Sequence, residues 1–256
     1  MTSGPTVQVS GVSKKFTIPT EVPRSLKEKV FKSLSRGQSK HTFHVLQNIN
    51  FSISQGETFG IIGANGSGKS TLFKLLCGVI SPTAGSIEIK GRISAVVELT
   101  AGFHDELTGR ENIYLNGAIY GLSRAQVDSK ISKICSFADI GQFMDARIRT
   151  YSSGMLARLA FALSINVDAD VLMFDEVLAV GDIVFRKRCI EKINALRAQN
   201  KTVLYVSHDL EQVRSLCSRV MWLERGEIKM LGEAEKVLEA YASYSQNQSQ
   251  PSQFSD

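Results

Sequence analysis

A glycine-rich segment at residues 60–71 carries the residue types that bind phosphate groups. It reads Gly-Ile-Ile-Gly-Ala-Asn-Gly-Ser-Gly-Lys-Ser-Thr, and from Gly63 to Ser70 it follows the Walker A pattern. The glycines let successive backbone N–H groups turn toward one anion, and a helix that begins at the lysine adds the partial positive charge of its N-terminus. In such a loop Lys69 can reach the outer phosphates of a nucleotide while Ser70 ligates magnesium. The residues expected to contact the nucleotide are Gly63, Asn65, Gly66, Ser67, Gly68, Lys69, Ser70 and Thr71.

Two carboxylates, Asp175 and Glu176, follow an apolar run at residues 171–174, roughly 100 residues after the glycine-rich segment. An acid just past a buried strand lies beside the phosphate loop, where Asp175 can hold Mg²⁺ directly or through water. Glu176 can polarise the attacking water as a general base. By itself, an apolar run that ends in Asp-Glu could instead be a helix N-cap. The Walker A pattern earlier in the chain favours the metal site and the base.

Two further side chains fit the same chemistry. His208 follows the apolar residues 203–206 and Ser207, a position that a parallel sheet brings to the edge where the phosphate loop lies. There its imidazole can hydrogen-bond a terminal phosphate, although such a histidine taken alone is more often structural. Phe16 stands shortly before the second predicted strand, where its ring can stack on an adenine base. The alternative for Phe16 is a core phenylalanine at a strand end.

Apolar runs that alternate with helical segments form the predicted scaffold for these residues. Residues 58–62 are predicted as a buried strand and 69–77 as a helix, and residues 170–174, whose last four are continuously apolar, predict a central strand. The remaining predicted strands are one that starts at Val7 and those at 45–53, 86–90, 93–97, 202–206 and 220–223; the remaining helices of the sheet region are 182–199, 209–217 and 234–244. This order predicts an α/β fold whose mixed sheet contains parallel pairs with right-handed crossovers.

A small helical lobe is predicted over about residues 100–167. Thr108 with Glu111, and Ser123 with Gln126, fit the capping-box pattern, in which two side chains satisfy each other's orphan N–H groups at a helix start. The helices predicted there are 111–120, 124–137 and 154–167. At the other end of the chain, the Ser- and Gln-rich residues 244–256 are predicted to be a disordered tail.

The composition favours a cytosolic protein with reduced cysteines. Hydrophobic residues make up 43% of the 256, without an apolar run near the ~20 residues of a membrane-spanning helix. The four cysteines lie far apart and lack zinc-ligand spacing.

Residues 14–40 carry eight Lys or Arg against two Glu. An apparent insertion at 19–44 overlaps this basic segment and predicts a basic amphipathic helix at 24–36, which could face a membrane, a partner, nucleic acid or its own domain.

The order of the motifs resembles that of the ATP-binding cassette (ABC) ATPases over about residues 7–242. Between the Walker A segment and the strand-end acids, residues 151–155 read Tyr-Ser-Ser-Gly-Met, where that family usually has the signature Leu-Ser-Gly-Gly-Gln; Ser152 and Gly154 match. The resemblance implies a P-loop NTPase core with the mixed sheet of ABC ATPases plus an α-helical subdomain, together forming one domain over residues 1–243.

The resemblance also implies a composite site. In that family two copies hold two ATP molecules head to tail, so that Ser152, Ser153 and Gly154 of one copy bind the γ-phosphate held by the Walker A of the other. Asp182 matches the acid that crosses the dimer and helps to position the other site. Glu98 stands where the family usually has a glutamine that reaches the magnesium and the membrane partner; a carboxylate there can still ligate the cation or accept from water, but it adds negative charge.

Within the family, residues 98–117, 151–155 and 175–182 closely resemble ATPase subunits that export O-antigen polysaccharide. Capsule and teichoic-acid exporters share parts of the pattern. The resemblance implies a homodimer under a polytopic permease, at the cytoplasmic face of the bacterial inner membrane, that moves a lipid-linked glycan outward. Some such subunits carry an added carbohydrate-binding domain, for which too few residues follow the cassette here.

Two other functions fit the sequence less well. A cassette ATPase that acts on nucleic acid usually contains long coiled coils or two cassettes, and only the basic residues 14–40 favour that reading, so we expect no nucleic-acid partner. A GTPase would need an Asn-Lys-x-Asp motif after the Walker A, which the sequence lacks. ATP with Mg²⁺ is therefore the expected cofactor pair.

Overall fold

The computed structural model describes residues 6–19, 40–96, 102–175 and 182–249. Its strands are β1 (Val7–Pro19), β2 (Lys40–Ile53), β3 (Thr58–Ile62), β4 (Ala84–Ile89), β5 (Ile93–Val96), β6 (Val171–Asp175), β7 (Thr202–Val206), β8 (Arg219–Glu224) and β9 (Glu227–Glu233). Its α-helices are α1 (Lys69–Leu76), α2 (Gly109–Ile119), α3 (Arg124–Ala138), α4 (Ser153–Ser164), α5 (Ile183–Ala198), α6 (Leu210–Leu216) and α7 (Ala234–Ser249). Two 3₁₀ turns, Gly141–Asp145 and Ile148–Thr150, connect α3 to α4.

A six-stranded sheet forms the centre, in the order β5-β6-β7-β3-β8-β9. Its first five strands are parallel and β9 is antiparallel to β8. Side chains alternate across the sheet: Leu172 and Phe174 of β6 pack with α4 to α7, whereas Val171 and Met173 pack with α1 and the small sheet. That small antiparallel sheet has the order β2-β1-β4. The predicted α/β fold with a mixed sheet is therefore confirmed.

The helical lobe consists of α2, α3 and the lobe-facing side of α4. Both predicted capping boxes are present, and the Thr108 N–H donates to Glu111 Oε2 at 2.8 Å while the Ser123 N–H donates to Gln126 Oε1 at 2.8 Å. Helix α4 joins the lobe to the sheet, since Leu159 lies in the lobe core and Phe161 packs against the sheet.

Several predicted boundaries differ from the structure, and one strand was not predicted. Strands β1 and β2 pair as far as Pro19 and Lys40, so residues 40–44 belong to a hairpin arm rather than to the insertion; the predicted helix at 24–36 lies outside the described residues. Strand β9 was not predicted. The helix α7 continues to Ser249, so the predicted disorder is wrong for residues 244–249, while 250–256 lie outside the described residues.

Burial affects the thiol groups of the cysteines. All four are unpaired, and burial raises the pKa of the Cys77, Cys189 and Cys217 thiols to about 12. They therefore remain protonated and unreactive at neutral pH. In the described ranges, none of the helices has the length and apolar character needed to span a bilayer.

Candidate functional site

The glycine-rich loop connects β3 to α1 and packs closely against neighbouring strands. A Cβ atom on Gly63, whose φ is +152°, would lie 2.1 Å from the carbonyl oxygen of Leu223. Gly68 is the N-cap of α1 at φ +108°, and a Cβ there would lie 2.8 Å from the Leu46 side chain. Only glycine fits these two positions, because both the backbone conformation and the space exclude a side chain.

The turn between β8 and β9 is hydrogen-bonded to the glycine-rich loop. The Gly226 N–H donates to the carbonyl oxygen of Ser67 at 3.0 Å, and the Gly226 carbonyl accepts from the Gln47 N–H at 2.8 Å. The Ser67 N–H in turn donates to the Ala64 carbonyl at 3.2 Å. These contacts connect the loop to both sheets. Sequence reasoning missed them, although a glycine such as Gly226 between two strand-like segments is a turn signal.

The loop encloses a polar cleft of about 380 Å³. Its lining residues are Val45, Asn65, Gly66, Gly68, Lys69, Ser70, Thr71 and Asp175. The Lys69 ammonium is buried and donates to the carbonyl oxygens of Gly63 at 2.7 Å and Ala64 at 3.1 Å. The Ser67 hydroxyl is buried and has no hydrogen-bond partner among the residues that the structure describes. A cation, a helix N-terminus, hydroxyls and one carboxylate around this cleft fit a polyphosphate together with a divalent metal ion.

The sheet brings the predicted acid and histidine to the edge where the loop lies. Asp175, the last residue of β6, pairs with Val206 of β7, and Val206 also pairs with Ile61 of β3. The ends of these three strands are therefore level, and His208 follows β7 by two residues at the exposed edge. The predicted base Glu176 and the predicted metal ligand Glu98 lie outside the described residues.

Phe16 lies on the exposed part of β1. Its surface is 40% exposed, and the ammonium of Lys14 is 5.0 Å from the centre of its ring. The alternative that it is a core phenylalanine is therefore wrong. Stacking on a nucleotide base stays a prediction.

The signature residues begin helix α4. Ser152 is its N-cap and accepts from the Met155 N–H at 3.2 Å, and Ser153 and Gly154 form the first turn. Tyr151, which stands at the leucine position of the usual signature, donates its hydroxyl to the Phe143 carbonyl at 2.6 Å and anchors the segment to the lobe. Ser152 and Ser153 are exposed and do not line the cleft of their own chain.

Asp182 caps helix α5 and links it to the signature helix. Its Oδ1 accepts from the Phe185 N–H at 2.8 Å, and its Oδ2 pairs with Arg158 of α4. The Arg158 guanidinium also stacks on the Phe185 ring, 4.9 Å from its centre. These contacts hold the pKa of Asp182 below its usual range, the Phe185 N–H having the largest effect. Sequence reasoning predicted Asp182 but missed Arg158.

Replacing Asp182 with asparagine should reduce stability in a pH-dependent way. Because folding lowers this pKa, the carboxylate stabilises the folded chain above about pH 4, and this contribution disappears as the pH falls through the lowered pKa. Urea unfolding at pH 7 should therefore show a slightly less stable variant, since an exposed pair contributes little. Near pH 3 the difference should shrink; a difference that does not change with pH would contradict an effect of the charge.

A parallel sheet whose edge joins a phosphate loop to a strand-end acid defines a P-loop nucleoside triphosphatase. The sequence profile described as ABC transporter matches residues 46–179, just over half of the chain. The chain belongs to the ABC transporter family.

Relatives support the family over most of the chain. An O-antigen export system ATP-binding protein, RfbB of Klebsiella pneumoniae, is 41% identical over 242 residues, which cover 93% of this chain and 97% of RfbB. The teichoic acids export ATP-binding protein TagH of Bacillus anthracis is 39% identical over 238 residues, 93% of this chain and 42% of TagH. Among solved structures, the dimeric ATP-binding cassette MJ0796 bound to ADP and Pi has a TM-score of 0.72 at 20% identity, with 89% of this chain and 98% of that one covered.

Proposed function

We propose that this chain is the ATP-hydrolysing subunit of an exporter that moves a lipid-linked polysaccharide of the O-antigen type across the bacterial inner membrane. The observation that carries the proposal is the 41% identity to RfbB over 97% of the length of that protein. The cleft supports it, because Lys69, the α1 N-terminus and Asp175 suit a nucleoside triphosphate with its metal ion.

Each residue of the cleft has a proposed role. Lys69 and the N–H groups of the loop bind the outer phosphates, while Ser70 and Asp175 hold Mg²⁺, which neutralises charge on the phosphates when bound. Glu176 accepts the proton of the attacking water, and His208 hydrogen-bonds the γ-phosphate. Glu98 adds an oxygen ligand for the metal or its water.

The site is proposed to be completed by a second copy of the chain. Ser152, Ser153 and Gly154 present an exposed helix N-terminus outside the cleft of their own chain, as a head-to-tail partner requires. In such a dimer they bind the γ-phosphate held by the Lys69 of the partner copy. Asp182 crosses the interface between the two copies and helps to position the other nucleotide site. A polytopic permease then holds the dimer at the cytoplasmic face of the membrane.

A teichoic-acid exporter is the second candidate. TagH of Bacillus anthracis is 39% identical over nearly the same part of the chain. The O-antigen type is preferred because RfbB has the slightly higher identity, 41% against 39%, and because residues 98–117, 151–155 and 175–182 resemble O-antigen exporters. Capsule export is a third possibility from the sequence pattern alone.

Changing Lys69 to alanine in the chromosome of the host tests the proposal. Removal of the ammonium from the loop should abolish ATP binding, so surface polysaccharide should disappear while lipid-linked polymer accumulates inside the cell. Lys133→Ala, an exposed lysine of α3, serves as the matched control. Gel analysis of surface glycan and extraction of the lipid-linked polymer provide the readouts, and undiminished surface glycan in the Lys69→Ala strain would contradict the proposal.

A further inference from the structure

The turn between β8 and β9 adopts a backbone conformation that its sequence disfavours. Glu224 pairs with Glu227, so Arg225 and Gly226 form a two-residue turn, with φ values of +48° and +81°. Two positive φ values in a row are typical of a type I′ turn. Glycine adopts them readily, but the Cβ atom of an arginine there crowds the next carbonyl oxygen. Contacts outside the turn therefore have to stabilise it.

On one side, the turn packs against the phosphate loop. The Gly226 N–H donates to the Ser67 carbonyl at 3.0 Å, and the Leu223 carbonyl oxygen lies directly against Gly63. A Cβ on Gly226 would lie 2.4 Å from the Val45 carbonyl oxygen, so little space separates the turn from β2. A shift of the turn therefore displaces the loop as well.

On the other side, a tyrosine attaches the turn to the last helix. Tyr244 of α7 donates its hydroxyl to a carboxylate oxygen of Glu224, the residue that precedes the turn. Only 19% of the Glu224 side chain is exposed, and a hydrogen bond to a charged acceptor shielded from water is among the stronger kinds. The centre of the Tyr244 ring lies 4.9 Å from that of the buried Trp222 ring, which fixes the orientation of the tyrosine.

Tyr244 is a stronger partner for Glu224 than the nearby lysine. The Lys229 ammonium lies 3.9 Å from Glu224, but the lysine side chain is 55% exposed, so this ion pair contributes little. The hydrogen bond to Glu224 raises the pKa of the Tyr244 phenol, which therefore stays protonated and remains the donor at neutral pH.

We propose that Tyr244 is a positioning residue for the phosphate loop. Through Glu224 it keeps the turn at residues 225–226 in the conformation in which the turn N–H reaches Ser67. The inference rests on the proposed function, because it requires a nucleotide on the loop, and it adds a residue of α7 that affects nucleotide binding without contacting the nucleotide. Without the hydroxyl, Glu224 loses its hydrogen bond inside the fold and turns toward water. The loop N–H groups then lose their alignment with the phosphates.

Tyr244→Phe tests the proposal, because it removes the hydroxyl and keeps the ring beside Trp222. We expect MgATP and magnesium tripolyphosphate to bind about three- to tenfold more weakly in isothermal calorimetry, the range for a residue that acts on a site through others. The two losses should be equal, because the loop binds the phosphates rather than the base. The KM for ATP should rise by the same factor at nearly unchanged kcat. A merely less stable protein would instead keep its KM and lose apparent kcat, because fewer molecules would be folded.

Tyr241→Phe is the matched control for this substitution. Tyr241 lies about one turn earlier on α7, and its ring centre is 5.2 Å from that of Trp222, but its hydroxyl has no hydrogen bond to any residue that the structure describes. This variant should bind both ligands like the unmodified chain. Equal losses of affinity in Tyr241→Phe and Tyr244→Phe would overturn the proposal, because the contact with Glu224 would then not be the cause.

Glu224→Ala, alone and combined with Tyr244→Phe, tests whether the hydroxyl acts through the carboxylate. Because both changes break the same contact, the double variant should bind MgATP no more weakly than Glu224→Ala alone. Losses that multiply would overturn the proposal, and so would unchanged affinity in Tyr244→Phe. If the unmodified chain bound neither ligand, the proposed function itself would fail, whereas unchanged affinity in Tyr244→Phe beside normal binding by the unmodified chain would remove only the role of Tyr244.

Discussion

Replacing Glu176 with glutamine should lower ATP turnover by about 10²–10⁴-fold while ATP binding survives. The residue directly follows Asp175, whose side chain lines the phosphate cleft at the end of β6. An amide occupies nearly the same volume as a carboxylate but cannot accept the proton of the attacking water. The closed state that precedes hydrolysis should then accumulate, so size-exclusion chromatography with MgATP should show a stable dimer.

A control variant distinguishes the loss of the general base at Glu176 from a general effect of removing a negative charge. Glu191→Gln changes an exposed carboxylate on α5 and should leave turnover unchanged. Unaltered phosphate release by Glu176→Gln would remove this residue from the mechanism. Loss of turnover without an ATP-dependent dimer would keep the base but contradict the head-to-tail arrangement.

Replacing Gly63 with alanine should disable the phosphate loop. The new Cβ would lie 2.1 Å from the Leu223 carbonyl oxygen and 2.8 Å from Ser67 Oγ, at a φ of +152°. The Leu223 carbonyl belongs to β8 in the central sheet and cannot move aside as a side chain can. We expect the free energy of unfolding to fall by about 2–5 kcal/mol from strain and overpacking, and tripolyphosphate affinity to be lost.

Gly66→Ala is the matched control for this substitution. Gly66 belongs to the same loop and also has a positive φ, +76°, but among the described residues a Cβ there would meet nothing within 4 Å. It should therefore cost only about 1–2 kcal/mol, the penalty of the left-handed conformation. Urea unfolding and calorimetry provide the comparison. Equal losses of stability at both glycines would show that the backbone conformation, rather than close packing, determines the cost of a side chain in the loop.

The features that could be predicted from the sequence are those that depend on residues close together in the chain. Strand β7 was predicted with its observed bounds, 202–206, because its continuous apolar run matches a strand buried on both faces. The capping boxes depend on residues only three apart. In contrast, β9 alternates between exposed and half-buried residues and contains Gly232, so that its strand conformation depends on pairing with β8.

The same distinction between features set by local sequence and features set by distant contacts applies to the site. The Walker A pattern identified the loop, since its glycines and lysine are contiguous, and the parallel strand order placed Asp175 beside it. The pairing of Arg158 with Asp182 joins residues 24 positions apart, and it depends on how α4 packs beside α5. The pairing of Phe16 in β1 with Phe43 in β2 depends on the register of these two strands, which the sequence alone did not specify.

The turn at Gly226 also determines when the loop is completed during synthesis. Ser67 and Gly226 are joined by a hydrogen bond although about 160 residues separate them along the chain. Every residue of the Walker A pattern leaves the ribosome long before the strand pair that holds it, and contacts so distant in sequence form late in folding. A nascent chain that ends before β9 therefore carries the full motif without the structure that makes it a nucleotide site.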